Sequence, residues 1–146
     1  MPKPGGSRLV PKTLPDFQQH FPNEEACIAH LYTKRFPFPT GFVCSYCEQN
    51  EGDAGPPYSF ASRPTVYRCR NCKRDTSLTA GTIMHRSKQP LYSWFWAAFL
   101  VTSLTPGMSA VQFKKMLGIE RYETAFQMLH KLRAAMVRPE RDSIGQ

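Results

Sequence analysis

Long apolar runs are missing from this 146-residue sequence. The longest, Trp94 to Val101, falls far short of the roughly 20 residues that cross a bilayer. The opening Met1-Pro-Lys-Pro-Gly-Gly-Ser-Arg is basic, but no apolar stretch follows it as in a secretory signal. Membrane and secreted classes are therefore set aside, and a cytoplasmic location is expected. Acidic residues are scarce in one region: residues 60–138 hold 13 Lys and Arg against Asp75, Glu120 and Glu123, a net of +10. The front, 1–59, is near neutral, and the whole chain carries +8. The length leaves room for one ordinary domain or two small ones, not for a large nucleotide-binding α/β enzyme or a barrel. A confined basic block is the footprint of a nucleic-acid partner or, more blandly, a solvated basic surface.

What is present is cysteine in a pattern. Cys44-Ser-Tyr-Cys47 and Cys69-Arg-Asn-Cys72 are two C-x₂-C pairs, with Cys27 left over. Each pair places two thiolates on one tight knuckle, and two knuckles complete the tetrahedral shell that Zn²⁺ prefers. An odd cysteine count without a secretory signal argues against a disulfide framework. Four thiolates leave no open coordination position, so one structural Zn²⁺ is expected and a catalytic one is not. Cys27, between Ala26 and Ile28, reads as a small buried hydrophobe.

The chain divides as follows. Residues 1–16 read as a mobile basic tail, rich in proline. Residues 17–40 hold one helix, opened by Asn23-Glu24-Glu25 with Asn23 as its cap and the glutamates at the positive end of its dipole. Residues 41–88 form short strands and turns around the knuckles, with a polar loop over 48–57: Tyr58–Phe60, Thr65–Arg68 and Thr76–Thr79 read as strands. Two knuckles on such a sheet make a zinc ribbon, and zinc would supply most of its stability. Residues 89–138 read as three helices. The first is apolar nearly all round and so deeply packed. It breaks at Thr105-Pro106-Gly107. The second begins at a Ser109 cap, with Val111, Phe113, Met116 and Leu117 inward. The third, from Tyr122, places Tyr122, Ala125, Phe126, Leu129, Leu132 and Met136 on one face. Residues 139–146 are a C-terminal tail. The fold class expected is α+β.

Two helices joined by the short Leu117-Gly118-Ile119 turn fit a helix-turn-helix, whose second helix would lie in the DNA major groove. A plain three-helix bundle with a solvated polar side is the alternative. In the first case Lys114, Lys115, Arg121, Lys131, Arg133 and Arg138 would neutralise phosphates, while Thr124 and Gln127 would read base edges. Basic residues at 68, 70, 73, 74, 86 and 88 would continue the electrostatic track. Lys114, four before Gly118, occupies a position usually small where the two helices approach.

The order of these features resembles a known family. Phe21-Pro-Asn-Glu-Glu-Ala-Cys27, Tyr67-Arg-Cys-Arg-Asn-Cys72 and the run Thr76 to Lys88 are similar to the N-terminal region of bacterial zinc-ribbon insertion-sequence transposases. Pro90-Leu91, Trp94-Phe95, Leu117-Gly-Ile119 and Tyr122 to Arg133 extend the likeness, which covers about residues 17–138. The segment from Gly81-Thr82 to Trp94 is its most specific part. The resemblance implies binding to double-stranded DNA at the inverted-repeat ends of a transposon, ahead of a DDE-type catalytic domain. It also implies bacterial, nucleoid-associated placement, with a transposase catalytic subunit or further copies of the chain as partners. In the first knuckle Ser45 and Glu48 stand where the family commonly has Pro and Gly. No grouped carboxylates for two-metal strand transfer follow Cys72, so this chain is expected to bind DNA and not to cut it. Two other readings stay open: an N-terminal fragment whose catalysis is supplied in trans, and a ribbon-based docking accessory of a nucleic-acid machine.

Overall fold

The helical part of the chain begins earlier than the sequence suggests. The computed structural model describes residues 11–104 and 107–137, and its first helix, α1, spans Leu14–His20. The side chain of Thr13 accepts from the Asp16 N–H at 3.3 Å, with Pro15 in the first turn and Asp16 at the positive end of the dipole. These are helix-start signals that a proline-rich composition hides. Residues 14–16 therefore belong to structure and not to the tail, and two helices precede the first cysteine pair instead of one. The second, α2, spans Glu24–Arg35, with Asn23 accepting from the Ala26 N–H at 2.9 Å.

The polar loop over 48–57 contains a single helical turn, α3 (Glu51–Ala54), because Asn50 caps it through the Asp53 N–H. A three-stranded antiparallel sheet follows in the order β1-β2-β3, from β1 (Tyr58–Phe60), β2 (Arg63–Arg68) and β3 (Asp75–Ser77). In register, Tyr58 faces Arg68, and Arg68 faces Asp75 across the other edge. Phe42-Val43 contributes one bridge, Val43 to Asn50, ahead of the first cysteine pair. The fold is thus α+β.

Three helices complete it: α4 (Leu91–Ser103), α5 (Ala110–Leu117) and α6 (Tyr122–Met136). The expected break at Thr105-Pro106 falls outside the described residues. None of the described helices is long and apolar enough to cross a membrane.

Two apolar clusters share α4. Its Leu91 is buried with Phe17, Phe21, Ile28, Phe42 and Leu78, and Phe95, Trp96 and Phe99 pack on that cluster. Its Trp94 and Ala97 are buried with Phe113, Ile119, Ala125, Leu129 and Leu132 of the following helices. This accounts for the all-round apolar character of α4: both of its sides are core. Phe113 is fully enclosed, and truncating a side chain of that size in a core costs about 3–5 kcal/mol.

The inward faces of α5 and α6 differ in part from expectation, Phe113 being buried as expected. Val111 and Met116 are half exposed, as are Tyr122, Phe126 and Met136. Ala125, Leu129 and Leu132 of α6 are buried as expected, and Met128 joins them in place of Tyr122, Phe126 and Met136. Helical spacing allows either stripe, and the position of α4 selects the second. Tyr122 and Phe126 stack on each other at 5.9 Å, and the Phe126 ring meets His130 at 4.2 Å. An aromatic strip is thus left on the outside.

Candidate metal centre and basic groove

The two cysteine pairs fold into matching knuckles. In the first, the Cys44 N–H donates to Gln49 O and the Glu48 N–H to Cys44 O, both at 3.1 Å. In the second, the Cys69 N–H donates to Arg74 O at 3.0 Å and the Lys73 N–H to Cys69 O at 3.2 Å. Each knuckle closes through a left-handed residue, Glu48 with φ 58° and Lys73 with φ 60°. That conformation favours glycine, so both knuckles hold ordinary residues under modest strain.

The knuckles bring all four sulfurs together, within 4.8 Å of one another. Cys44 and Cys72 Sγ are 3.5 Å apart, and Cys47 and Cys69 Sγ 3.7 Å. Cys44 and Cys69 are buried in the first core cluster, while Cys47 and Cys72 are partly exposed. Four cysteines so placed are close enough to hold a metal ion. The Gln49 N–H pulls the Cys47 thiol down to about 6, with neighbouring thiols adding to it. At Cys72 the Arg74 N–H pulls the same way, but burial and the three other cysteines outweigh it and push the thiol up to about 11. A divalent cation among these sulfurs would relieve that crowding by favouring thiolate at every position. Cys27 stands apart: it is fully buried, and burial first, then Glu24, raises its thiol to about 11. Among the described residues, no other group of three or more histidines, cysteines and carboxylates converges in this way.

A second site lies between the loop before α4 and the outer face of α6. Arg86, Ser87, Lys88 and Gln89 form one wall of a groove of about 600 Å³. Gly118 to Arg121, with Thr124, Gln127 and Lys131, form the other. Thr124, Gln127 and Lys131 fall together because they are spaced by three and four residues along the helix. The loop is fixed from below, where the Trp94 Nε1–H donates to Ser87 Oγ at 3.0 Å and the Gln89 N–H donates to the same oxygen at 3.2 Å. Arg86 takes a left-handed φ of 57°. Four cations therefore face one cleft, with Glu120 as its carboxylate.

The sequence-derived residues divide between places. Arg121, Thr124, Gln127 and Lys131 share the groove with Arg86 and Lys88. Arg133 does not: its Nη2–H donates to Met108 O at 2.7 Å, beside Leu104 and Met136. Lys114 and Lys115 sit in the last turn of α5, outside the groove lining, with Lys114 half-buried and Lys115 exposed. Arg138 lies outside the described residues. On the sheet, Arg68 is bidentate to Asp75 at 2.6 and 3.2 Å, and Arg63 reaches the same carboxylate at 3.6 Å. That pairing, led by the Arg68 hydrogen bond, holds the Asp75 carboxyl below its usual range. The pairing of Ser87 with Trp94 escapes sequence reasoning, although the two stand only seven residues apart.

An apolar cleft of about 310 Å³ lies where α1, α2 and α4 meet, lined by Phe17, Phe21, Phe95 and Phe99. His30 enters it edge-on to Phe21 at 5.1 Å and to Phe95 at 5.8 Å. Burial, then Lys34 and His20, lowers its pKa from the ordinary value, so the ring is neutral near pH 7.

Comparison of the chain with known protein families, with curated proteins and with solved structures found no match.

Proposed function

We propose that this protein is a DNA-binding module in which one structural Zn²⁺ closes a zinc ribbon and a helix-turn-helix reads the duplex through α6. The observation that carries the reading is the groove. Arg86 and Lys88 line it together with Arg121 and Lys131, and Thr124 and Gln127 line it from α6 between the latter two. Cations at the rim suit phosphates, and a glutamine and a threonine suit base edges. The Gly118 turn, left-handed at φ 63°, joins the two helices in the manner of a helix-turn-helix.

Zinc is the ion proposed on donor chemistry. A tetrahedral shell with Zn–S bonds of about 2.3 Å has sulfur–sulfur edges of about 3.8 Å. Two of the sulfur pairs, at 3.5 and 3.7 Å, approach that value. With four thiolates the ion would fold the ribbon and leave no coordination position for a substrate.

The resemblance to zinc-ribbon transposases suggests inverted-repeat transposon ends as the target. Strand cleavage would then fall to a catalytic partner, joined to this chain or supplied in trans. The zinc-loaded protein should bind duplex DNA with an affinity that falls steeply with salt, because each neutralised phosphate releases condensed counterion. Selection from random duplexes should enrich a defined site. Affinity that barely changes between low and moderate salt refutes the proposal.

The aromatic strip of Tyr122 and Phe126, with Val111 and Met116 also exposed, favours a second reading. In it the helices dock on a protein of a nucleic-acid machine or on another copy of the chain. Replacing Phe126 by Ser should then abolish partner capture while leaving DNA affinity intact.

A further inference from the structure

The five cations of the sheet and second knuckle fall into two groups. Arg63 and Arg68 lie over the Phe60 ring and share the single Asp75 carboxylate, which offsets one of their two charges. Arg70, Lys73 and Arg74 are held differently. The Arg70 guanidinium lies 4.7 Å from the centre of the Tyr58 ring, the Lys73 ammonium 5.3 Å from the same ring, and the Arg74 guanidinium 5.0 Å from Tyr46. Arg70 also donates to the carbonyl of Pro56. Among the described residues no carboxylate pairs with any of the three. Both rings are well exposed, Tyr46 at 56% and Tyr58 at 42%.

An aromatic face orders a cation without cancelling its charge. A carboxylate orders it and cancels it. The knuckle thus presents three full positive charges whose side chains have already lost much of their freedom, which is the arrangement an anion binds at least entropic cost.

We propose that Arg70, Lys73 and Arg74, carried on Tyr46 and Tyr58, form a second contact with the phosphodiester backbone of the duplex, beyond the segment that faces α6. This rests on the DNA-binding reading of the groove. Arg86 stands twelve positions after Arg74. A fully extended chain spans at most about 3.3–3.6 Å per residue, so the Cα atoms of Arg74 and Arg86 lie no more than about 43 Å apart. Phosphates follow one another about every 3.4 Å along a strand, which puts the second contact within about 13 base pairs of the first.

Fluorescence anisotropy with a labelled 40-base-pair duplex containing a selected site tests this. The Arg70→Gln/Lys73→Gln/Arg74→Gln variant should bind at least tenfold more weakly at low salt. Its plot of log affinity against log salt should flatten by about 2 to 3, close to 0.9 for each phosphate lost. Tyr46→Leu/Tyr58→Leu keeps the charges and should weaken binding a few-fold with the slope unchanged. An Arg121→Gln/Lys131→Gln variant separates the two readings. If it binds like the parent while the knuckle variant fails, the groove reading falls, and the knuckle is then the primary contact and not a second one. If the knuckle variant matches the parent in affinity and slope, the knuckle contact is overturned. Phosphate ethylation interference on the unmutated protein decides the matter without relying on variant folding. Two separated clusters of sensitive phosphates support the inference, and a single cluster refutes it.

Discussion

The carboxylate of Glu24 holds the first turn of α4 through the backbone of Leu91. Its Oε1 accepts from the Leu91 N–H at 2.8 Å, and Oε2 accepts from the Tyr92 N–H at 2.7 Å. Pro90, at the cap position, offers no side-chain acceptor for those donors. A residue in the first turn of α2 therefore does for α4 what a local Ser or Asp does elsewhere, and it adds a negative charge at the positive end of the dipole.

Replacing Glu24 by Ala should cost about 2–3 kcal/mol, since two N–H groups lose a charged acceptor. Urea unfolding would measure it. Glu24→Gln should recover only part of the loss, because one amide oxygen replaces two carboxylate oxygens. A variant with parental stability would show that water replaces the carboxylate without penalty.

The lowered pKa of His30 gives a pH dependence of definite sign. The folded state favours the neutral ring. The stabilisation is complete above the unfolded value of about 6.5 and is lost as pH falls through the lower folded value. His30→Leu should remove that slope. Chemical denaturation at a series of pH values between about 5 and 7.5 checks it, and an unchanged slope in the variant would place the titration elsewhere.

Left-handed positions allow a paired test of backbone strain. Glu48→Gly should stabilise the metal-loaded protein by up to about 1 kcal/mol, since a side chain at φ 58° gives way to a residue without Cβ. Gly118→Ala should cost about 1 kcal/mol at φ 63°, although no atom lies within 4 Å of the added Cβ. Thermal melting of both variants would show opposite shifts.

On α6, neighbouring residues should give different defects. Gln127→Ala should weaken selected-site binding by about 1–3 kcal/mol and relax base preference while leaving the salt slope unchanged. Lys131→Ala should weaken all duplexes alike and reduce the salt slope by about 1. Arg133→Ala should leave the salt slope intact and lower stability by about 1 kcal/mol, because its guanidinium serves the Met108 carbonyl. Binding and melting measured on the same preparations separate the three.

How much of this can be read from sequence depends on how local each feature is. The cysteine pairs are legible because each knuckle is a turn within six residues, and only the meeting of the two is non-local. The caps at Asn23 and Ser109 are legible for the same reason. The role of Glu24 is not. Within its own helix it reads as a dipole-favouring residue, and its partners lie 67 and 68 positions away. The facing of Val111, Met116, Tyr122 and Phe126 escapes because apolar identity gives two candidate stripes on short helices, and only the placement of α4 chooses one. The groove needs both walls. Thr124, Gln127 and Lys131 are readable from helical spacing, but their sharing a groove with Arg86 and Lys88 depends on a loop tied to Trp94 through Ser87.

The double burial of α4 also bears on how the protein can be taken apart. A fragment beginning at residue 89 would keep Trp94 and Ala97 covered by α5 and α6 but strip the cover from Phe95, Trp96 and Phe99. A fragment ending at residue 88 would bare Phe17 and Phe21, whose rings rest on those same aromatics. Either cut trades a buried seam for a sticky surface and parts Arg86 and Lys88 from Arg121 and Lys131, so the chain is best expressed and purified as one piece.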